Sequence, residues 1–208
     1  MSTTSVTGAI LAGGKHASLA GTLKALLTLQ EEAIVLRQVR EMRKLCKEVI
    51  VVTDTPKPFF DVLDSSVRII TDYYPGRGPL GGMHSALRLA RNPLVWIAGS
   101  DMPFVSADEA RRLMTGLTDG VQAVIPIVRE RPVPLHGLYD SRCSEAVAGL
   151  LTVGEESMQS LLGHLQWLGV PAEADLEQQG SHDFTFEIRN ESDYERANNL
   201  LVMARSTG

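Results

Sequence analysis

An aspartate stands directly after the most apolar run of the chain, in Gly99-Ser100-Asp101-Met102-Pro103. A carboxylate there is well placed to hold a metal or a ribose, because ligands of doubly wound sheets bind outside the carboxyl ends of the strands. Mg²⁺ prefers such oxygen ligands, one or two from the protein and the rest from phosphates and water. Asp72 closes a second apolar run, and the glycines and prolines after it, from Pro75 to Gly82, read as a shaped loop under a ligand. A third stretch, Leu11-Ala12-Gly13-Gly14-Lys15, follows the first apolar run. Its glycines let backbone N–H groups approach a phosphate or a base, since no side chain blocks the way. Lys24 comes after a loop long enough to fold back over a nucleotide. Each feature alone also has a plainer meaning, as a tight turn or a capping aspartate; the three together point to a nucleotide site.

Familiar alternatives fit less well. Gly8 and Gly13 approach a P-loop, but Gly14 occupies the lysine position and His16 follows Lys15 in place of Ser or Thr. Gly76, Gly78 and Gly81 spell Gly-x-Gly-x-x-Gly, with Asp101 at the distance of a ribose acid; yet four residues separate Thr71 from Gly76 and Pro79 stiffens the segment, so a dinucleotide fold is disfavoured. No Gly-x-Ser-x-Gly elbow exists, and the 5 histidines show no metal spacing. His136 is the one histidine inside a patterned segment, Pro134-Leu-His-Gly-Leu-Tyr139. Met83 and Met102 adjoin the loops but also suit a core. Cys46 and Cys143 lie far apart, which favours buried free thiols.

The elements that must position these residues are legible as alternating patterns. Short β-branched runs at Val6 to Leu11, Val49 to Thr53, Val67 to Thr71, Leu94 to Ala98 and Ala123 to Val128 alternate with helical stripes such as Ile34, Leu36, Val39, Met42 and Leu45. A second stripe runs from Met83 to Ala90, and Ser106 with Glu109 forms a capping box for a third helix. This is the signature of an α/β fold with a mostly parallel sheet covered by helices on both faces. Arg129 to Pro132 reads as an exposed turn before an antiparallel strand over 133–139. Helices are expected over 144–151, 158–165 and 193–204, a strand over 184–188, and a surface loop over 173–183. The 208 residues, 44% apolar and 22% charged, suit a single domain spanning 1–208. Net charge of −5 disfavours broad capture of nucleic acid or an anionic membrane, so any phosphate must meet a local site. No signal segment or membrane-length apolar run is present, and the cytoplasm is the expected compartment.

In order and spacing, Leu11-Ala-Gly-Gly-Lys15 with Lys24, Asp72, Gly78-Pro-Leu-Gly-Gly-Met83, Asp101-Met-Pro-Phe104 and Pro134 to Tyr139 resemble the molybdenum cofactor guanylyltransferases. The resemblance implies a three-layer Rossmann-like nucleotidyltransferase fold. It also implies transfer of GMP from GTP to the terminal phosphate of molybdenum-molybdopterin, with pyrophosphate released. Leu11, Ala12 and Gly13 would contact the guanine nucleotide, Lys24 its phosphates and Asp72 its pocket, while Asp101 would hold Mg²⁺. A molybdoenzyme or maturation factor would receive the product. The chain departs from the family pattern at Ser18, where an arginine is usual, at Leu23, where an aspartate precedes the lysine, and at Glu156, where a base is usual. The closing Asn-x-Asn pattern reads Glu187-Ile-Arg189. These departures motivate a second reading, a non-catalytic relative that binds cofactor or partner. A cytidylyltransferase of the same fold is a third, and a dinucleotide oxidoreductase a distant fourth.

Overall fold

The computed structural model describes residues 5–14, 17–172 and 184–206. The chain begins β1 (Val6–Leu11), β2 (Ser18–Leu19), β3 (Thr22–Leu23), β4 (Thr28–Leu29), β5 (Glu32–Ala33), α1 (Ile34–Met42), β6 (Glu48–Thr53), β7 (Val67–Thr71), α2 (Gly78–Leu89) and β8 (Leu94–Gly99). It continues α3 (Ala107–Met114), β9 (Ala123–Val128), β10 (Arg131–Pro132), β11 (Leu138–Asp140), α4 (Ser144–Thr152), α5 (Met158–Leu162), β12 (Trp167–Pro171) and α6 (Glu191–Ser206).

Eight strands form one sheet in the order β10-β9-β11-β8-β1-β6-β7, with β12 also paired to β9. β1 lies parallel between β6 and β8, and β7 extends the sheet in parallel beyond β6. β11 runs antiparallel between β8 and β9. Strands β1 and β8 are buried along their whole length, as expected where helices cover both faces. Their alternating side chains feed two cores. Val6 and Ile10 face Val35, Val39 and Met42 of α1 and Leu113 of α3, whereas Ala9 and Leu11 face Leu80 and Met83 of α2 and Val147 of α4. The result is the expected three-layer arrangement. Gly8 is what lets α1 sit so close: a Cβ there would lie 2.7 Å from the Met42 sulfur.

The five expected sheet strands form, within a residue of the expected ends. Elsewhere the structure differs. Of the expected strand over 133–139 only Leu138 and Tyr139 form one, within β11, because Pro134 to Gly137 turns away before it; the Gly137 N–H donates to the Pro134 carbonyl at 3.1 Å. Arg131 and Pro132, expected in the turn, belong to β10, and the turn itself is Arg129-Glu130, both at positive φ. Phe184 to Ile188 forms no strand. Its Phe186 and Ile188 bury themselves against Phe104, Ile34 and α6, but among the described residues no neighbouring strand offers a ladder. α1 and α5 stop short of the expected Leu45 and Leu165. Strand β12 and the small hairpins β2–β3 and β4–β5 were not expected. Lys15 and the polar stretch 173–183 lie outside the described residues. Among the described residues no helix is long and apolar enough to cross a membrane.

Candidate functional site

A cleft opens at the carboxyl edge of the sheet, bordered by Leu11, Gly13, Ala17, Asp72, Gly78 and Asp101 among others. Its floor is set by strand ends. The Ala12 N–H donates to the Val52 carbonyl at 2.7 Å, and the buried Thr53 hydroxyl donates to the Ala12 carbonyl at 3.1 Å. Ala12 itself is thus fixed beneath the loop, with both backbone groups engaged. Gly14 follows at φ 96°, a conformation that favours glycine, and nothing crowds its Cβ position.

After the glycine loop the chain reverses through β2 and β3, turned by Ala20 and Gly21 at φ 47° and 83°. Such a two-residue turn with both φ positive matches strand twist. The reversal is what returns Lys24: its N–H donates to the Ala17 carbonyl at 2.6 Å. The Lys24 side chain, only 6% exposed, places its ammonium 3.6 Å from Asp101 Oδ2. Leu23, the departure beside it, packs on the main core. Ser18 is exposed on β2, and Ala17 is the residue that borders the cleft.

Asp101 is positioned from three sides. The buried Gln38 of α1 donates from Nε2 to the Gly99 and Met102 carbonyls at 2.7 and 2.8 Å, clamping the turn that carries the carboxylate. Gly99 leaves the carboxylate its place, because a Cβ there would come within 2.7 Å of Asp101 Oδ1 and push it aside. The Ile188 N–H donates to the Asp101 carbonyl at 2.8 Å, bonding the C-terminal segment to the site. Burial pushes the Asp101 carboxyl above the usual aspartate range; Lys24 pulls it down, and the like charge of Glu187 pushes it up again. A carboxylate held in that state gains from a cation.

Asp72 opens the approach to α2. Its Oδ1 accepts from the Tyr74 N–H at 2.9 Å and from the Ser85 hydroxyl at 3.1 Å. Gly81, in the first turn of α2, allows that packing: a Cβ would meet the Tyr74 carbonyl oxygen at 2.5 Å. Arg77 turns away to Glu156, 3.1 Å distant, so the two charges offset each other at the rim. The structure therefore brings Leu11, Gly13, Asp72 and Asp101 to one cleft, with Lys24 on Asp101. Gln38 and Ser85 went unread in the sequence, and Gly99 was read there only as part of the stretch that carries Asp101. Gln38 carried a signal, a polar residue inside the apolar stripe of α1.

His136 is no ligand. It is fully buried between Trp96 and Phe184, its Nε2 accepts the Ser106 N–H at 3.1 Å, and burial pushes its pKa down to about 3. Both cysteines are free thiols whose pKa burial pushes up to about 12, which keeps them unreactive. Among the described residues no three His, Cys, Asp or Glu side chains gather as a metal cage. Mg²⁺ needs no such cage, since it takes only one or two protein carboxylates, and the desolvated Asp101 is an oxygen donor of the kind it takes.

The family profile described as a MobA-like NTP transferase domain matches residues 8–169. The chain belongs to the MobA-like NTP transferase family. The molybdenum cofactor guanylyltransferase of Desulfosudis oleivorans is 29% identical over 161 residues, covering 77% of this chain and 78% of that protein. A probable molybdenum cofactor guanylyltransferase of Carboxydothermus hydrogenoformans is 28% identical and covers 92% and 94%. A solved structure, molybdopterin-guanine dinucleotide biosynthesis protein A of Archaeoglobus fulgidus, superposes with TM-score 0.78 at 22% identity, over 95% of this chain and 99% of that one. The fold is thus that of the nucleotidyltransferases. Family membership and these relatives support a transferase of molybdenum cofactor biosynthesis as the general function of this MobA-like chain.

Proposed function

We propose that the protein is an Mg²⁺-dependent molybdenum cofactor guanylyltransferase, transferring GMP from GTP to the terminal phosphate of molybdenum-molybdopterin. The observation that carries the reading is the Lys24–Asp101 pair, 3.6 Å apart beside the glycine loop at the carboxyl edge of the sheet. A phosphate oxygen of the acceptor supplies the electron pair for a new P–O bond to the α-phosphorus, the α–β bond breaks, and pyrophosphate leaves with its electrons. The attacking group is already an anion, so no side-chain nucleophile and no general base are required. What the protein contributes is position and positive charge.

The backbone around Gly13 and Gly14 receives the nucleotide, and Asp72, an acceptor-only carboxylate, suits the ring N–H groups or ribose hydroxyls of guanosine. Lys24 faces the phosphates and holds Asp101 ionised. Mg²⁺ on Asp101 would supply Lewis-acid charge against the negative charge developing at the transferred phosphate. Glu187 is near enough to Asp101 to strengthen the field that draws a cation in.

The test is pyrophosphate release with GTP, Mg²⁺ and molybdenum-loaded molybdopterin. The reading expects release that depends on all three. Thermal shifts with the four nucleoside triphosphates distinguish GTP from CTP, since a ligand at a hundred times its Kd stabilises by about 2.7 kcal/mol. Binding of GTP without release would support the non-catalytic reading, which the Arg77–Glu156 pair favours by withdrawing a rim cation.

A further inference from the structure

Leu135, on the wall of the nucleotide cleft, also borders a second groove. The groove runs beside the β9–β10 hairpin and the segment after Phe184, and Arg129, Arg131, Arg189 and Glu187 line it. Among the described lining residues Arg131 and Arg189 outnumber the one carboxylate, Glu187, which makes this a cationic place in a chain whose net charge is −5. Both features that build it are unusual. The hairpin turns through Arg129 and Glu130 at φ 48° and 63°, a left-handed conformation that L side chains rarely adopt, in place of the Asn-Gly such turns prefer. Arg189 lies two residues after Glu187, where the resemblance leads one to expect a second asparagine.

The groove is tied to the reacting point. The Ile188 N–H donates to the Asp101 carbonyl at 2.8 Å, so the backbone between Glu187 and Arg189 is fixed to the residue that carries the candidate metal. Arg189 donates from Nε and Nη2 to Glu187 Oε2 at 3.0 and 2.9 Å, which orients its plane while 74% of the side chain stays exposed. Two of its five N–H donors are engaged with Glu187, leaving a planar fork suited to a tetrahedral oxyanion. Arg131 stands exposed on β10 on the same groove.

We propose that this groove is the acceptor subsite, and that Arg131 and Arg189 clamp the phosphate monoester end of the acceptor. The inference rests on the guanylyltransferase reading and adds the acceptor-binding residues. Two polyanions must meet at Asp101: the nucleotide enters from the glycine loop and Lys24, and a phosphate monoester, carrying close to two negative charges, needs cations on its own side. Glu156, paired to Arg77, cannot supply one. Arg131 and Arg189 restore that charge from different elements.

The 208-residue chain is titrated calorimetrically with molybdopterin in the absence of GTP, and separately with GTP and Mg²⁺. Arg131→Ala and Arg189→Ala are each expected to weaken molybdopterin binding about tenfold or more, with partial rescue in Arg131→Lys and Arg189→Lys. GTP affinity should stay unchanged, and in turnover the KM for acceptor should rise while the KM for GTP does not. Both side chains are exposed, and an unchanged melting temperature confirms that the variants fold. A double alanine variant that binds molybdopterin within twofold of the parent overturns the proposal, as does a parent that binds none. Failure of the guanylyltransferase reading looks different: the parent would then release no pyrophosphate, and arginine-dependent molybdopterin binding would still support the groove.

Discussion

Asp101 and Lys24 depend on each other. A charge-assisted contact contributes about 1.5–3 kcal/mol, so Lys24→Gln should lower kcat/KM for GTP by about ten- to a hundredfold. Asp101→Asn should reduce turnover at least as far, with the melting temperature little changed, since the side chain is 29% exposed and amide replaces acid at equal volume. The pH dependence carries the sharper prediction. In the proposed reaction Asp101 acts as the carboxylate, and its pKa is raised, so activity is expected to be lost as pH falls through a value above the ordinary aspartate range. Lys24 lowers that pKa and Glu187 raises it. The acid limb of the kcat/KM profile should therefore move to higher pH in Lys24→Gln and to lower pH in Glu187→Gln. Opposite displacements would show that another group sets the limb. Asp72, Asp101 and Lys24 stood out in the sequence because each adjoins an apolar run or a glycine loop. The pairing of Lys24 with Asp101 did not, because 77 positions separate them and only the β2–β3 reversal brings them together.

At the scale of elements, turns without side chains and one buried amide hold the site. Gly81→Ala would drive a methyl into the Tyr74 carbonyl, which is backbone and cannot swing aside. Overpacking of this kind costs about 1–3 kcal/mol, so the variant should melt lower and bind GTP more weakly, because the start of α2 and Asp72 shift together. Gln38→Leu keeps the helix but strands the Met102 carbonyl, at about 1–3 kcal/mol for an unpaired buried group, while the Gly99 carbonyl keeps the Met102 N–H at 3.2 Å. Calorimetric melting and kcat should both fall, with kcat falling further than in a destabilised variant remote from the site. Long elements were readable because continuous apolar runs and 3.6-residue stripes extend over several turns or pleats. The two-residue strands β2 to β5 are too short for any period to show. β12 hides because Trp167 and Leu168 are partly exposed and Gly169 and Pro171 weaken the pattern. Phe184 to Ile188 misleads for the opposite reason: its alternation of buried residues is real, yet it serves docking on α6 and Asp101 rather than a ladder.

Across the whole molecule the two edges of the sheet do different work. At the amino edge Glu48 accepts from Thr7, from the Arg91 backbone and from Arg68, a fully engaged cluster away from the cleft. At the carboxyl edge charges are partly paired and the chain is bonded across long distances in sequence. His136 belongs to that second set, joining β8 through Trp96, the start of α3 through Ser106 and the C-terminal segment through Phe184. With both neighbours aromatic and no solvent contact, it folds only as the neutral imidazole. Its pKa falls from 6.5 to about 3 on folding, so its contribution is fully present above pH 6.5 and is lost as pH falls toward 3. The slope is about 1.4 kcal/mol per pH unit, and between pH 6.5 and 5 it precedes the titration of ordinary carboxylates. His84 is shifted in the same direction, so the comparison must be made between the parent and a single variant. His136→Gln keeps an acceptor for the Ser106 N–H and cannot be protonated. Denaturant unfolding of the two proteins at pH 7.5 and pH 5 should show the parent losing more stability than the variant, by about 2 kcal/mol. Equal losses would mean that His136 is solvated or charged in the folded chain, and that the joint between β8, α3 and the C-terminal segment is held by something else.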